Sequence, residues 1–302
     1  MRIAGVAKTE RLSEILDVAL PVVEVMDIGA MEEGDDHYAT LVRQGQARVT
    51  GFEPNQEEIA KLRKRSGPYC YHAAFLGDGQ PATFHVARYP GCSSMFAPDP
   101  AVIDLFSTIG AADPGGNFHV VRSEKVQTTR LDDIVDCALP DLIKIDIQGA
   151  ELTVLTHGQQ KLEHAVVVEC EVEFVPLYRN QPLFCDIQMF LRECGFVLHK
   201  FVDVAGRCFR PFTQENPYLP MSQLLWADAV FVRDFTTLES YSKEDLLKAS
   251  LLLHTVYHSF DLVALLLREH DQRHATALFD RYIKYLRNTP LPIKFMNPKD
   301  RP

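Results

Sequence analysis

The stretch Asp141-Leu142-Ile143-Lys144-Ile145-Asp146-Ile147-Gln148-Gly149-Ala150-Glu151-Leu152 decides the fold. From Leu142 to Ile147 it is apolar apart from Lys144 and Asp146, and Gly149 opens a helix-forming run. Such a run is a strand buried on both faces of a parallel sheet, followed by a crossover helix. Lys144 and Asp146 lie two residues apart and so stand on one side of the strand. Charge inside an apolar strand is costly unless it is paired or belongs to a site. At the carboxyl end of a strand it points into the crevice where open α/β sheets bind ligands. A structural salt bridge is the alternative reading of the pair.

Toward the N-terminus the same pattern repeats. A short leading helix from about Thr9 to Leu20 is stopped by Pro21, and Val22, Val23, Val25, Met26 and Ile28 form an apolar run ending in Gly29. A polar helix-forming stretch over 35–44 precedes a strand over 47–52, closed by Glu53 and Pro54. Asn55 is placed to cap a helix over 56–65, and residues 69–74 read as a third strand. This order predicts a parallel sheet with right-handed crossovers, the doubly wound Rossmann-like α/β class.

Toward the C-terminus the middle is irregular. Residues 82–87 and 120–129 read as strands and 131–135 as a short helix, while 88–116 hold much of the Pro and Gly. That segment reads as a loop-rich insertion near a site, with 109–117 as either a lid or a connector. Helix 150–157, strand 165–172, helix 182–194 and strands 196–204 and 224–232 complete the sheet, the last two pairing antiparallel at one edge. From about Thr236 two long helices follow, over 243–269 and 271–287. The expected organisation is a sheet domain over 1–235 and a C-terminal helical appendage over 236–302.

Composition narrows the function. The 302 residues carry a formal net charge of −10, with 46% hydrophobic and 24% charged residues, an ordinary globular balance. The densest basic stretch, Lys61, Arg63, Lys64 and Arg65, ends a helix, where positive charge suits the dipole. No nucleic-acid partner is therefore expected. The seven cysteines are odd in number and contain no CxxC pair, so neither a zinc ribbon nor a disulfide framework is expected, and a cytoplasmic location fits. Met1 to Glu10 carries charge and no apolar run, which argues against a signal peptide. Leu251 to Leu267 is apolar but interrupted by His254, His258 and Asp261, each expensive in lipid. A buried hairpin or a homo-oligomer interface is expected there, not a membrane span. The pairs His254/His258 and His270/His274 have the spacing of a shared helix face and could together make a four-His metal site, although helical His pairs are more often core or surface residues.

Glu53 stands 24 residues after Gly29, as an acidic residue at the next strand end does when it receives ribose hydroxyls. A dinucleotide site would need G-x-G-x-x-G. The chain instead reads Gly29-Ala30-Met31-Glu32-Glu33-Gly34-Asp35-Asp36, with four acids where a pyrophosphate would lie. Those carboxylates repel phosphate. S-adenosylmethionine has no phosphate, and its sulfonium and ammonium suit an acidic rim.

The segment Lys144-Ile145-Asp146-Ile147-Gln148-Gly149-Ala150-Glu151 resembles the signature of the FkbM family of methyltransferases. Thr129-Arg130-Leu131-Asp132-Asp133, Val168-Glu169-Cys170-Glu171 with Phe174, Pro176, Leu177 and Tyr178, Phe52-Glu53-Pro54-Asn55, Ala73-Ala74-Phe75-Leu76-Gly77-Asp78 and Gly91-Cys92-Ser93-Ser94-Met95 resemble its other segments. The resemblance runs from about Val22 to Val232. It implies a class I methyltransferase sheet and an O-methyltransferase that uses S-adenosylmethionine on a small-molecule, sugar or glycan hydroxyl. Carried over, Asp27, Gly29 and Ala30 flank the methionine moiety, and Glu53 with Pro54 lies at the ribose. Ala74 and Phe75 lie near the adenine, and Asp146 faces the reacting centre. The chain departs from the family pattern in the loop Met31-Glu32-Glu33-Gly34 and at Gln148, where Glu is usual.

Methyl transfer to oxygen needs alignment, exclusion of water and a group that takes the hydroxyl proton. Asp146 is the first candidate for that group and Glu169, read as the end of the next strand, the second, with Lys144 beside them. Two strand-end acids could instead hold a Mg²⁺; no metal ligand is part of the expected site. Ser93 and Ser94 either contact the cofactor or substrate or cap a turn. A methyltransferase-like binding module without catalysis is the alternative function, and a nicotinamide-dependent oxidoreductase is disfavoured by the missing glycines.

Overall fold

The computed structural model describes residues 10–31, 36–291 and 293–296. Its strands are β1 (Val23–Ile28), β2 (Ala47–Phe52), β3 (Tyr69–His72), β4 (Pro81–Ala87), β5 (Val120–Gln127), β6 (Leu142–Ile145), β7 (Val167–Glu173), β8 (Phe196–Gly206) and β9 (Leu224–Arg233). Seven form one sheet in the order β3-β2-β1-β6-β7-β9-β8, and β4 and β5 form a separate antiparallel ribbon. The five strands from β3 to β7 are parallel, while β9 runs antiparallel between β7 and β8. This is the doubly wound, Rossmann-like sheet of class I methyltransferases that the sequence leads one to expect. Strand order reverses between β1 and β6, which puts the ligand crevice beyond their carboxyl ends.

Alternation along the strands sorts the side chains. Met26 and Ile28 of β1, Ile143 and Ile145 of β6, and Val168, Cys170 and Val172 of β7 join one core cluster. The helices Glu151–Thr156 and Phe184–Glu193 add Val154, Leu155, Ile187 and Leu191 to it. Each such fully buried side chain contributes about 1.5–3 kcal/mol. Asp27, Lys144 and Glu169, one residue out of phase, share a row across the other face, since Asp27 is paired with Lys144 and Lys144 with Glu169.

The 88–116 segment is less open than its Pro and Gly content implies. Ile103, Phe106, Ile109, Ala111 and Phe118 build a second core cluster with Leu177, Tyr178 and Leu225. Asp104 accepts the Ala111 and Ala112 N–H groups, and Asn117 Oδ1 accepts the Gly110 N–H. The stretch 109–117 is thus a pinned connector. Apolar residues spaced through this segment hold it down, a signal that its turn residues mask.

Backbone contacts divide the chain into two compact units. Among the described residues, one holds 23–31, Asp36 and 47–236, and the other holds 10–22, 37–46, 237–291 and 293–296. In the second unit three helices replace the two expected: Lys243–Thr255, Phe260–His274 and Leu278–Asn288. The first stops at Thr255, and His258 takes a left-handed backbone in the turn. The second stops where Ala275 turns left-handed, and the Asp271 carboxylate accepts the Leu278 and Phe279 N–H groups that open the third. A side chain thus supplies a break that hydropathy does not mark. No described helix is long and apolar enough to cross a membrane.

Candidate active site

Three chain segments meet at the carboxyl ends of β1, β2 and β6. The Gly29 and Ala30 N–H groups both donate to the Phe52 carbonyl at the end of β2, at 3.0 and 3.1 Å. The Asp146 N–H donates to the Ile28 carbonyl. Gly29 has φ +85°, and a Cβ there would lie 1.9 Å from the Asp146 carbonyl oxygen. The glycine is therefore demanded by the neighbouring strand end, before any ligand is considered.

Glu53 follows β2 and is 6% exposed. Its Oε1 accepts the Asn55 N–H at 2.7 Å, and Asn55 Oδ1 accepts the Glu57 and Glu58 N–H groups, capping the helix Gln56–Leu62 as expected. Burial pushes the Glu53 carboxyl up to about 7 against that N–H, and the charges of Glu58 and Asp27 push the same way. Pro54 ends the strand beside it. Ala74 and Phe75 leave β3 at the same end of the sheet, and the Phe75 ring packs edge-on against Phe84 at 5.0 Å. Ala74 packs against the main core cluster. Of the acidic run after Ala30, residues 32–35 lie outside the described residues, and Asp36 lies 3.4 Å from Arg65.

Lys144 reaches Asp27 at 3.4 Å. Burial alone would lower its pKa, but the carboxylates of Asp27, Asp146, Glu169 and Asp36 outweigh it and hold the ammonium above the ordinary lysine range. Glu169 does not end its strand. β7 continues to Glu173, so Glu171 and Glu173 stand at its carboxyl end and Glu169 lies two residues back in the Lys144 row. The alternation Glu169-Cys170-Glu171-Val172-Glu173 is the signal for this, since it sets three carboxylates on one face.

The turn after β6 organises those acids. Gln148 Nε2 donates to Asp146 Oδ1 at 2.9 Å and to Glu171 Oε2 at 2.6 Å. Gln148 Oε1 accepts from the Tyr178 hydroxyl at 3.0 Å, and its carbonyl accepts from the Ser94 hydroxyl at 2.6 Å. Its backbone is left-handed, at φ +59°. Glu151 Oε1 accepts the Ile147 and Gly149 N–H groups. Burial pushes Glu151 up to about 7 against those two donors, with the Asp146 charge adding to the rise. Glu171 is raised well above the carboxylate range by burial and by the Asp146 and Glu173 charges. Glu173 is raised likewise by burial and by Glu151 and Asp146. Carboxylate oxygens of Asp146, Glu151 and Glu171 lie within 4.8 Å of one another and are the residues here that could reach one divalent ion. The Gln148 amide already bridges two of them.

Ser93 Oγ accepts the Ala87 N–H, and Ser94 Oγ accepts the Phe96 N–H while donating to Gln148. Both hydroxyls are hydrogen-bonded to backbone groups. Asp27, Gly29, Ala30, Glu53 and Asp146 thus come together, with Lys144 and Glu169 one row behind. Glu151, Glu171, Glu173 and Tyr178 join the cluster without having been expected.

The family model described as the methyltransferase FkbM domain matches residues 27–198. No curated protein matches the chain by sequence. Solved structures similar to it include the 1,6-didemethyltoxoflavin-N1-methyltransferase of Burkholderia thailandensis, 12% identical over 74% of this chain and 75% of that one, with a TM-score of 0.35. The magnesium protoporphyrin IX methyltransferase of Synechocystis PCC 6803 is 12% identical over 74% and 76%, with a TM-score of 0.32. TrmK of M. capricolum is 10% identical over 92% and 97%, with a TM-score of 0.33. With the family model covering more than half of its length, the chain belongs to the FkbM methyltransferase-domain family.

Proposed function

We propose that the chain is an S-adenosylmethionine-dependent O-methyltransferase acting on a hydroxyl of a small molecule, sugar or glycan. The observation that carries this reading is the meeting of Gly29, Glu53 and Asp146 at the switch point, within an acidic rather than a basic environment. Such a crevice suits a nucleoside that bears cationic sulfonium and ammonium groups and no phosphate. Glu53 receives the ribose hydroxyls, and Ala74 and Phe75 flank the adenine. When bound, the cofactor supplies a methyl group on an electron-poor sulfur. A carboxylate of this chain would take the proton of the acceptor hydroxyl as that methyl is transferred.

Asp146 is the proposed acceptor of that proton. Gln148 aims its carboxylate, and Glu171 lies on the other side of the same amide. The seven free thiols fit a reducing, cytoplasmic setting. The test is incubation with methyl-labelled S-adenosylmethionine and a panel of hydroxyl acceptors, beside calorimetry with S-adenosylhomocysteine. Binding with label transfer that Asp146→Asn lowers at least about 100-fold is the expected result. Absence of cofactor binding overturns the assignment, and binding without transfer to any acceptor leaves the binding module in its place.

A further inference from the structure

The histidine pairs of the helical unit do not behave alike. His254 is fully buried, with Nδ1 2.9 Å from the Tyr282 hydroxyl and Nε2 3.1 Å from the Glu10 carbonyl oxygen, so both ring nitrogens are engaged inside the protein. His258 lies beyond the end of that helix, and the i,i+4 spacing of the first pair does not put its two rings on one helical face. His270 and His274 do share a helix, Phe260–His274, and their ring centroids are 4.9 Å apart. The Nε2 atom of each is buried and has no hydrogen-bond partner among the described residues.

A short chain of hydrogen bonds fixes what the buried His270 nitrogen carries. The Thr276 hydroxyl donates to the Asp271 carboxylate, which can only accept. A hydroxyl has a single proton, so Thr276 Oγ1 must be the acceptor of its 2.9 Å contact with His270 Nδ1. His270 therefore holds its proton on Nδ1, and its Nε2 presents a bare lone pair. Proteins orient a metal-binding imidazole by having its other ring N–H donate to an acceptor, and here that acceptor is the Thr276 hydroxyl, itself held by Asp271. Without a ligand, this lone pair is a buried polar group left unsatisfied.

We propose that His270 and His274 form a two-imidazole site for a borderline transition-metal ion such as Zn²⁺ or Cu²⁺, ligated through Nε2 of each. A hard cation such as Mg²⁺ prefers oxygen ligands, whereas Zn²⁺ and Cu²⁺ bond well to neutral imidazole nitrogen. The site lies in the helical unit and is independent of the methyl-transfer reading.

The test uses the full chain with Cys70→Ser and Cys185→Ser, which removes the exposed thiols that would compete. Zinc is titrated calorimetrically and histidine tautomers are read from long-range ¹H–¹⁵N spectra. The expected results are an Nδ1-protonated His270 before metal, a shift of both Nε2 resonances with Zn²⁺, and an affinity at least tenfold weaker in His274→Gln. The His274 ring is partly exposed, so that variant does not disturb a fully buried position. Mg²⁺ at the same concentration leaves the spectra unchanged. An Nε2-protonated His270, or a zinc isotherm for His274→Gln that superimposes on its parent, overturns the proposal.

Discussion

At Gly29 a side chain would have to occupy the space of the Asp146 carbonyl, at a backbone angle that L residues rarely adopt. Gly29→Ala is expected to cost at least about 2 kcal/mol, read as a lower denaturation midpoint with unchanged slope. An unchanged midpoint would mean that β1 and β6 do not end side by side. Glu53 makes a second prediction, which rests on its proposed ribose contact. The ionised carboxylate accepts at both oxygens, whereas protonation turns one of them into a donor, and burial holds the pKa near 7. Affinity for S-adenosylhomocysteine should therefore fall by up to about tenfold per pH unit below 7, and Glu53→Gln should bind more weakly with a flat pH profile. Parallel profiles in parent and variant would remove Glu53 from the site. Both residues were legible in the sequence because a glycine and an acid at consecutive strand ends are a local pattern. The reason for Gly29 was not legible, since it lies in a strand more than a hundred residues away.

At the scale of elements, the end of β7 and the turn after β6 act together. Glu151, Glu171 and Glu173 all have carboxyl pKa values raised in the folded state. A raised carboxyl contributes stability that is complete below its unfolded value and is lost as pH rises through the folded one. The sheet unit should accordingly gain stability as pH is lowered from 8 toward 5.5. Gln148 tempers this repulsion by donating to Asp146 and Glu171 at once. Gln148→Glu removes both donors and adds a fifth carboxyl group, so it should lower the melting temperature at pH 8 more than at pH 5.5. Equal losses at the two pH values would show that the amide does not hold the acids. The sequence announces the strand through Lys144 and Asp146, but placing Glu169 at the next strand's end stops four residues short of it. Alternating acids and apolar residues still read as strand, and the sequence does not say how far pairing with β9 carries it.

The two compact units should answer to acid in opposite senses, and this is a property of the molecule that no single element predicts. In the helical unit His254 bridges the Tyr282 hydroxyl and the Glu10 carbonyl. Burial lowers its pKa to about 4, outweighing the Glu10 carbonyl, and the neighbouring His258 lowers it further. A depressed histidine contributes stability that is present above its unfolded value, ordinarily about 6.5, and is lost as pH falls toward the folded one. Each pH unit in that window removes about 1.4 kcal/mol, against a gain over the same range in the sheet unit. Trp226 in β9 is the single tryptophan, so its fluorescence follows the sheet unit alone. Hydrogen exchange in peptides covering 243–288, corrected for intrinsic rate, follows the helices. Between pH 7 and pH 5.5 the denaturation midpoint read by Trp226 should rise while protection of the helices falls, and His254→Gln should shrink the second change only, since burial lowers His270 as well. Movement of both readouts in the same direction would contradict the opposed pKa shifts. The sequence does not foretell this opposition, because it shows His254 only as one member of a histidine pair. Its partners are a tyrosine in the last helix and a backbone carbonyl near the start of the chain. Only the folded helical unit brings them to one ring, and in doing so it makes that ring a core residue and leaves His270 and His274 as the pair with free nitrogens.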